Sequence, residues 1–144
     1  MATFLNNKVG FKVNSVDLSS YVQSFVLNRV LDQIEISAMG DTSHKYATGL
    51  SADTITVTFL NNDAASGAGS VRATLQAAFG TTVAFSAIQD TASAVSSTNP
   101  IYTGTILVDN LTDINAPSPA DIATFDITFT CNSKTAPATT GTWA

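Results

Sequence analysis

Gln33-Ile34-Glu35-Ile36-Ser37-Ala38-Met39, then Gly40-Asp41-Thr42-Ser43-His44-Lys45-Tyr46-Ala47-Thr48-Gly49-Leu50-Ser51-Ala52, then Asp53-Thr54-Ile55-Thr56-Val57-Thr58-Phe59-Leu60 is the stretch whose reading decides the fold. In its first piece Ile34, Ile36 and Ala38 alternate with Gln33, Glu35 and Ser37; in its last, Ile55, Val57 and Phe59 alternate with Thr54, Thr56 and Thr58. An apolar residue at every second position turns one face of a strand to a core and the other to water, so both pieces are predicted half-buried strands. The insert from Gly40 to Ala52 is far longer than an ordinary hairpin closure and carries Asp41, His44, Lys45, Tyr46 and Leu50. Loops of that length are functional or disordered. Tyr46 and Leu50 give this one apolar anchors, which predicts a loop that becomes ordered against a partner.

Outward from that stretch the chain continues in strands. Lys8 to Asn14 places Val9, Phe11 and Val13 on one face, Ser15 to Ser20 turns the chain, and Tyr21 to Leu31 sends Phe25 and Leu27 toward the core. On the other side, Asn61 to Gly69 reads as a flexible turn. Ser70 then caps the chain's one helix, ended by Gly80, with Val71, Leu75, Ala78 and Phe79 spaced by threes and fours. This helix is expected to lie on a sheet through Leu75 and Phe79. Thr82 to Ile88 and Ile101 to Asp109 are further strands, separated by a Ser/Thr/Ala-rich surface excursion from Gln89 to Asn99. After an exposed loop from Asn115 to Ala120, the cleanest alternation is Ala123 to Cys131: Phe125, Ile127, Phe129 and Cys131 against Thr124, Asp126, Thr128 and Thr130.

Seven predicted strands and one helix define a mainly β fold, an antiparallel β-sandwich or flattened barrel with the α-helix packed on it. Residues 1–144 form one domain, with residues 1–7 as a mobile N-terminal arm and 132–144 as a mobile C-terminal tail.

The composition narrows the function. With 144 residues, 44% of them hydrophobic, the chain can bury one core without disulfides or metal. Only 12% are charged, so the surface is largely hydroxyl and amide and suits burial against other proteins. A net charge of −5 and a pI near 4.4 exclude a basic nucleic-acid grip. No apolar run approaches the roughly 20 residues needed to span a bilayer, and the N-terminus lacks the features of a signal peptide, which predicts a soluble protein made in a cytoplasm. The lone Cys131 has no internal partner and reads as a buried thiol.

Chemistry is sparse. His44 is the one histidine and has no flanking motif, so no nucleophile–base pair is formed. One His, one Cys and scattered Asp give no metal-ligand spacing. Gly67-Ala68-Gly69 before the helix lacks the further Gly and Lys of a phosphate-binding loop. The reading is therefore of no catalytic residue, no metal ligand and no cofactor. Glu35 and Asp126 stand on polar strand faces, where they are either solvated edge charges or part of a surface that repels a polyanion.

Taken together, the motifs form a recognisable order. Asp17-Leu18-Ser19-Ser20-Tyr21, Gly40-Asp41-Thr42 followed by Gly49-Leu50, the alternating strand Thr54 to Phe59, the helix after a Gly-rich turn, Asn99-Pro100-Ile101-Tyr102-Thr103-Gly104 and the closing Thr/Phe strand resemble the tail tube proteins of long-tailed bacteriophages. The resemblance spans nearly the whole chain. It implies a β-sandwich with one helix that self-assembles into hexameric rings, stacked into a hollow tube through which DNA passes. The long loop would then meet the next ring through Asp41, His44, Lys45, Tyr46 and Leu50, while Glu35, Thr54, Thr56, Thr58 and Asp126 would face the lumen. Implied partners are other copies of the chain and the tape measure, terminator and baseplate proteins, with DNA as non-sticking cargo and no membrane binding. The location implied is the virion tail, assembled in the host bacterial cytoplasm. Alternatives are a tail terminator or injection-system tube protein of the same fold, or a monomeric β-sandwich binding module, which would not polymerise.

Overall fold

A computed structural model describes residues 7–143; the expected arm at residues 1–7 lies almost wholly outside the described residues. The chain runs through β1 (Gly10–Val13), β2 (Val16–Asp17), a short 3-10 turn (Ser19–Tyr21), β3 (Val22–Asn28), β4 (Leu31–Glu35), β5 (Tyr46–Ser51) and β6 (Thr54–Leu60). It continues through α1 (Val71–Ala78), β7 (Thr82–Ile88), β8 (Ile101–Leu107), β9 (Thr124–Cys131) and β10 (Ala136–Ala138). Eight strands form one antiparallel sheet in the order β2-β1-β7-β8-β9-β6-β3, with β10 pairing alongside β8, and β4–β5 stand apart as a two-stranded sheet.

The eight-stranded sheet is open, not a barrel, and it folds over on itself. β8 and β9 share only two paired positions, Ile106 with Cys131 and Leu107 with Thr130. At this thin seam the sheet turns from one layer, β2-β1-β7-β8-β10, into the other, β9-β6-β3. The result is visible in the aromatics: Phe11 of β1, near one end of the strand order, lies 4.9 Å between ring centroids from Phe25 of β3 at the other end, and 6.1 Å from Phe59 of β6. Phe11, Ile55, Val57, Phe59, Phe85, Ile106, Phe125, Ile127 and Phe129 are buried between the layers, and α1 adds Val71, Leu75 and Ala78. Each of these side chains larger than Ala78 contributes roughly 1.5–3 kcal/mol through burial.

Local sequence chemistry explains the joints. Asn14 and Ser15 both take positive φ, 52° and 68°, and close β1 onto β2 with the left-handed two-residue turn that suits a twisted hairpin. Asp17 then accepts from the Ser19 amide and hydroxyl, while the Ser19 hydroxyl oxygen accepts from the Phe11 amide at 2.9 Å. This is the physical content of the Asp-Leu-Ser motif: it locks the buried Leu18 under β1. Asn99, also buried, donates to the carbonyls of Asp90, Ser93 and Ala94 and accepts from the Asp90 amide, so the Ser/Thr/Ala-rich excursion is a wrapped loop. The Ala92 amide and Ser93 hydroxyl hold the Asp90 carboxyl below its usual range.

The structure corrects several expectations. Gln33–Met39 does not pair with the Thr54 strand; β4 ends at Glu35 and pairs with β5, which lies inside the stretch read as loop. Among the described residues ten strands form rather than seven, because β2, β5 and β10 are too short or too polar to show alternation. Ser70 makes no side-chain cap; its hydroxyl donates back to the Gly67 carbonyl at 2.6 Å. Phe79 falls past the last helical residue and is half exposed, so the helix docks through Val71, Leu75 and Ala78. Cys131, read as a buried thiol, is only partly buried, at the end of β9 where it pairs with Ile106 at the seam. The segment after Cys131 docks in the structure: β10 pairs with Ile101–Thr103, and Lys12 lies 4.5 Å from the Trp143 ring and donates to its carbonyl.

Candidate functional site

One ribbon carries the residues singled out in the sequence. β3 runs on into β4 and β5 runs on into β6, and between Asn28↔Thr54 and Leu31↔Ser51 the ladder is interrupted. There Asp53 substitutes for main chain. Its carboxylate accepts from the Val30 amide at 3.0 Å and the Thr135 amide at 2.8 Å, and its carbonyl accepts from the Cys131 amide at 3.0 Å. Burial would push this carboxyl up; donation from Thr135 and Val30 and the nearby Arg29 charge outweigh it and hold the group below its usual value. Asp53 therefore pins the root of the projecting hairpin to the body.

Beyond that root the hairpin stands alone. Leu31↔Ser51, Gln33↔Thr48, Ile34↔Ala47 and Glu35↔Tyr46 define its register, and the Ile36 amide adds one more rung to Lys45. Its tip is built by Asp41: the carboxylate accepts from the Ala38 amide at 2.7 Å and meets Lys45 Nζ at 2.9 Å, contacts that lower its pKa, while Gly40 supplies a φ of +93°. His44 Nδ1 lies 2.6 Å from Glu35 Oε2, and its ring is 6.4 Å from that of Tyr46. Asp41, His44, Lys45 and Tyr46 thus come together, with Leu50 further down β5.

Packing does not account for this hairpin. Ile34 and Ile36 are 53% and 55% exposed, Leu50 82%, and Met39 is fully exposed at the tip. An isolated two-stranded ribbon is marginal in water without something on its face. The apolar residues lie on both faces, Ile34 with Ala47 on one and Tyr46 on the other. The expectation that Ile34 and Ile36 face this chain's own core is corrected: among the described residues no layer covers them.

The Thr-rich surface is a separate place. β6 sets Thr54, Thr56 and Thr58 opposite Thr130, Thr128 and Asp126 of β9 and opposite Asn28, Val26 and Ser24 of β3. The Thr58 hydroxyl donates to Asp126 at 2.7 Å. One continuous hydroxyl-rich face results, backed by Ile55, Val57, Phe59, Phe125, Ile127 and Phe129. Glu35 does not belong to it; it sits on the hairpin with His44.

Among the described residues no cluster of three or more His, Cys, Asp or Glu is placed to hold a metal. Burial pushes the Cys131 thiol up, which disfavours the reactive thiolate. Among the described residues, no helix is long and apolar enough to cross a membrane.

The fold and surface together define a two-layered antiparallel β-sandwich with one helix, a projecting hairpin and a hydroxyl-lined sheet face. This architecture is found in known assemblies. A chain in the virion of a native gene transfer agent (GTA) particle superposes with a TM-score of 0.69 at 10% identity, covering 94% of this chain and 99% of that one. A chain in the tail of an empty GTA particle, determined by helical refinement with C6 symmetry, gives 0.63 at 13% identity, covering 95% and 99%. No family model matches the chain, and no curated protein matches it in sequence.

Proposed function

We propose that this chain is a structural protein of a virion tail that self-assembles into six-membered rings stacked into a tail tube. The observation that carries the reading is the likeness in fold, end to end, to chains of a GTA virion and of a C6-symmetric GTA tail. The uncovered hairpin supports it. A ribbon with apolar residues on both faces and a rigid tip is suited to insertion against another copy, so Asp41, His44, Lys45, Tyr46 and Leu50, with Met39, Ile34 and Ile36, form the contact between successive rings.

The hydroxyl-rich face of Thr54, Thr56, Thr58 and Asp126 lines the lumen. Val26 is exposed on it beside Thr56, but among these strand residues there is no cation, and the retained negative charge keeps phosphates mobile. DNA is thus cargo, and the tape measure, terminator and baseplate proteins are the remaining partners within the virion, which is assembled in the bacterial cytoplasm. Electron microscopy of the purified protein across a concentration series tests the reading: sixfold rings and stacked tubes are expected. A strictly monomeric protein at the highest soluble concentration would overturn it.

A further inference from the structure

The layer β9-β6-β3 has two edges, and they are treated differently. Asn61 N donates to Ala123 O and Cys131 N to Asp53 O, so the odd-numbered residues of β9 serve β6. The even-numbered Thr124, Asp126 and Thr128 point their main-chain groups the other way. β8 meets β9 only at Thr130 and Cys131, and beyond that point the outward edge is covered by the irregular segment from Asp109 to Ile122. This segment uses side chains, not main chain. Asn110 Nδ2 donates to the Thr128 carbonyl at 2.9 Å, Thr112 Oγ1 to the Asp126 carbonyl at 3.4 Å and Asn115 Nδ2 to the Thr124 carbonyl at 2.8 Å.

Carbonyls are thereby satisfied and amides are not: among the described residues, the Thr124, Asp126 and Thr128 amides donate no hydrogen bond. A regular strand would have satisfied both. Few contacts hold the cover down. Leu111 packs partly against the core, and Arg72 of α1 meets Asp113 at 3.1 Å in an exposed pair of the kind that contributes little. Ile114 and Ile122, 87% and 75% exposed, flank the edge on the solvent side.

Among the described residues, the other edge, β3, has no strand paired to it. Because the odd-numbered residues of β6 bond to β9, Thr54, Thr56 and Thr58 turn their main-chain groups to their partners Asn28, Val26 and Ser24, which leaves those of Phe25 and Leu27 turned outward along a groove of about 1010 Å³ that they line with Arg29, Ile88 and Tyr102. β3 has seven residues and β9 eight, and both border the same Thr-rich face.

We propose that the β9 edge is a strand-addition site for β3 of a second copy, and that Asp109–Ile122 is a displaceable cover that keeps the free chain from polymerising. This rests on the tail-tube reading and adds its regulation. Exchanging side-chain donors for a neighbouring strand pairs three free amides, continues the hydroxyl face from copy to copy, and gives the exposed isoleucines a surface to cover. Open edges otherwise invite uncontrolled pairing, and a weak local cover defers that until another copy competes for it.

The test combines two variants with amide exchange. Asn110→Ala/Thr112→Val/Asn115→Ala removes the cover's donors and is expected to lower the concentration for assembly by about tenfold or more. Thr128→Pro removes one outward amide while sparing the bonds to β6, and should give a folded chain that no longer forms rings. In wild-type protein the Thr124, Asp126 and Thr128 amides should exchange freely in the monomer and become protected on assembly. If wild-type tubes form with those amides unprotected, or the triple variant assembles at the wild-type concentration, the cover is refuted while the tube reading stands. If wild-type protein never assembles, the tube reading fails, and self-association of the triple variant alone then decides for or against the edge.

Discussion

β6 and β4 share the same alternation, yet Ile55, Val57 and Phe59 are wholly buried whereas Ile34 and Ile36 are half exposed. The difference lies in what stands opposite. β6 is flanked by β3 and β9 and faced by the other layer through Phe11. Among the described residues β4 has one neighbour, β5, and no second layer packed on it. Period-two patterning records that a face is meant to be covered, without saying whether by the same chain. If the chain works as a polymer, as proposed, those two cases read alike.

The largest separation between the two regions should come from truncating them in turn. Phe59→Ala removes a ring packed against Phe11 and Phe125 and should cost about 3–5 kcal/mol, enough to unfold a marginal domain. Ile34→Ala with Ile36→Ala should change monomer stability by less than about 1 kcal/mol, because half of each side chain is already in water. Tube formation should respond to the hairpin pair more than its stability does. Chemical denaturation alongside sedimentation separates the two readouts, and equal destabilisation in both would end the distinction between core and contact.

Asp53 joins the regions, so its loss should fall between those extremes. Asp53→Ala strands the Val30 and Thr135 amides and should cost about 2–5 kcal/mol. Because the folded carboxyl lies below its usual value, its contribution is present above about pH 4, the unfolded value, and is lost as pH falls through the folded one. Asp53→Asn should therefore be less stable than wild type at neutral pH and show a shallower loss of stability on acidification. An acid limb as steep as wild type would assign that loss to other carboxylates.

Replacing residues 36–45 with Asn-Gly should perturb the monomer less still, since it closes the existing Glu35↔Tyr46 register with a favoured turn and shortens a loop whose entropic cost grows only logarithmically. Folded single rings without tubes are expected. Tyr46→Ala with Leu50→Ala should raise the concentration at which tubes appear. Long tubes from the loop-shortened chain would rule the hairpin out as the contact between rings.

What the sequence disclosed follows the strength of its periodicity. Thr82–Ile88 and Thr124–Cys131 have the long alternations, and their bounds were legible to within a residue, as was the burial of Phe85, Phe125, Ile127 and Phe129, though not the partial exposure of Cys131. β5, Tyr-Ala-Thr-Gly-Leu-Ser, carries Gly49 mid-strand and no alternating apolar set, because Ile34 of the partner strand packs at that glycine: a Cβ there would sit 3.1 Å from Ile34 Cδ1. The grouping of Asp41, His44, Lys45 and Tyr46 was legible because they are close in sequence. Glu35 was grouped with Thr54, Thr56, Thr58 and Asp126 as a lumen-facing candidate because it too lies on a polar strand face; that β4 leaves the sheet of β6 for a separate pairing with β5 is not written in the alternation. Asp53 itself gave no signal: its partners Val30 and Thr135 are far away along the chain and recognise it through main-chain amides.

The smallest effect on folding should come from the hydroxyl face, where chemistry rather than stability is at stake. Thr56 is exposed at the middle of β6, opposite Val26 and Thr128, with none of the carboxylate contact that Thr58 makes to Asp126. Thr56→Lys replaces one β-tolerant surface residue with a flexible cation and should shift stability by less than about 0.5 kcal/mol. Tubes should still assemble. If six copies per ring present that face to the lumen, the variant places a ladder of ammonium groups along the channel, and DNA should be retained at low salt and released as ionic strength rises. The wild-type tube should retain none under the same conditions. Thr56→Gln, similar in reach without the charge, controls for bulk. Variant tubes as indifferent to DNA as wild type would place the Thr54, Thr56 and Thr58 face on the outside or against a neighbouring subunit, leaving the lumen to another surface.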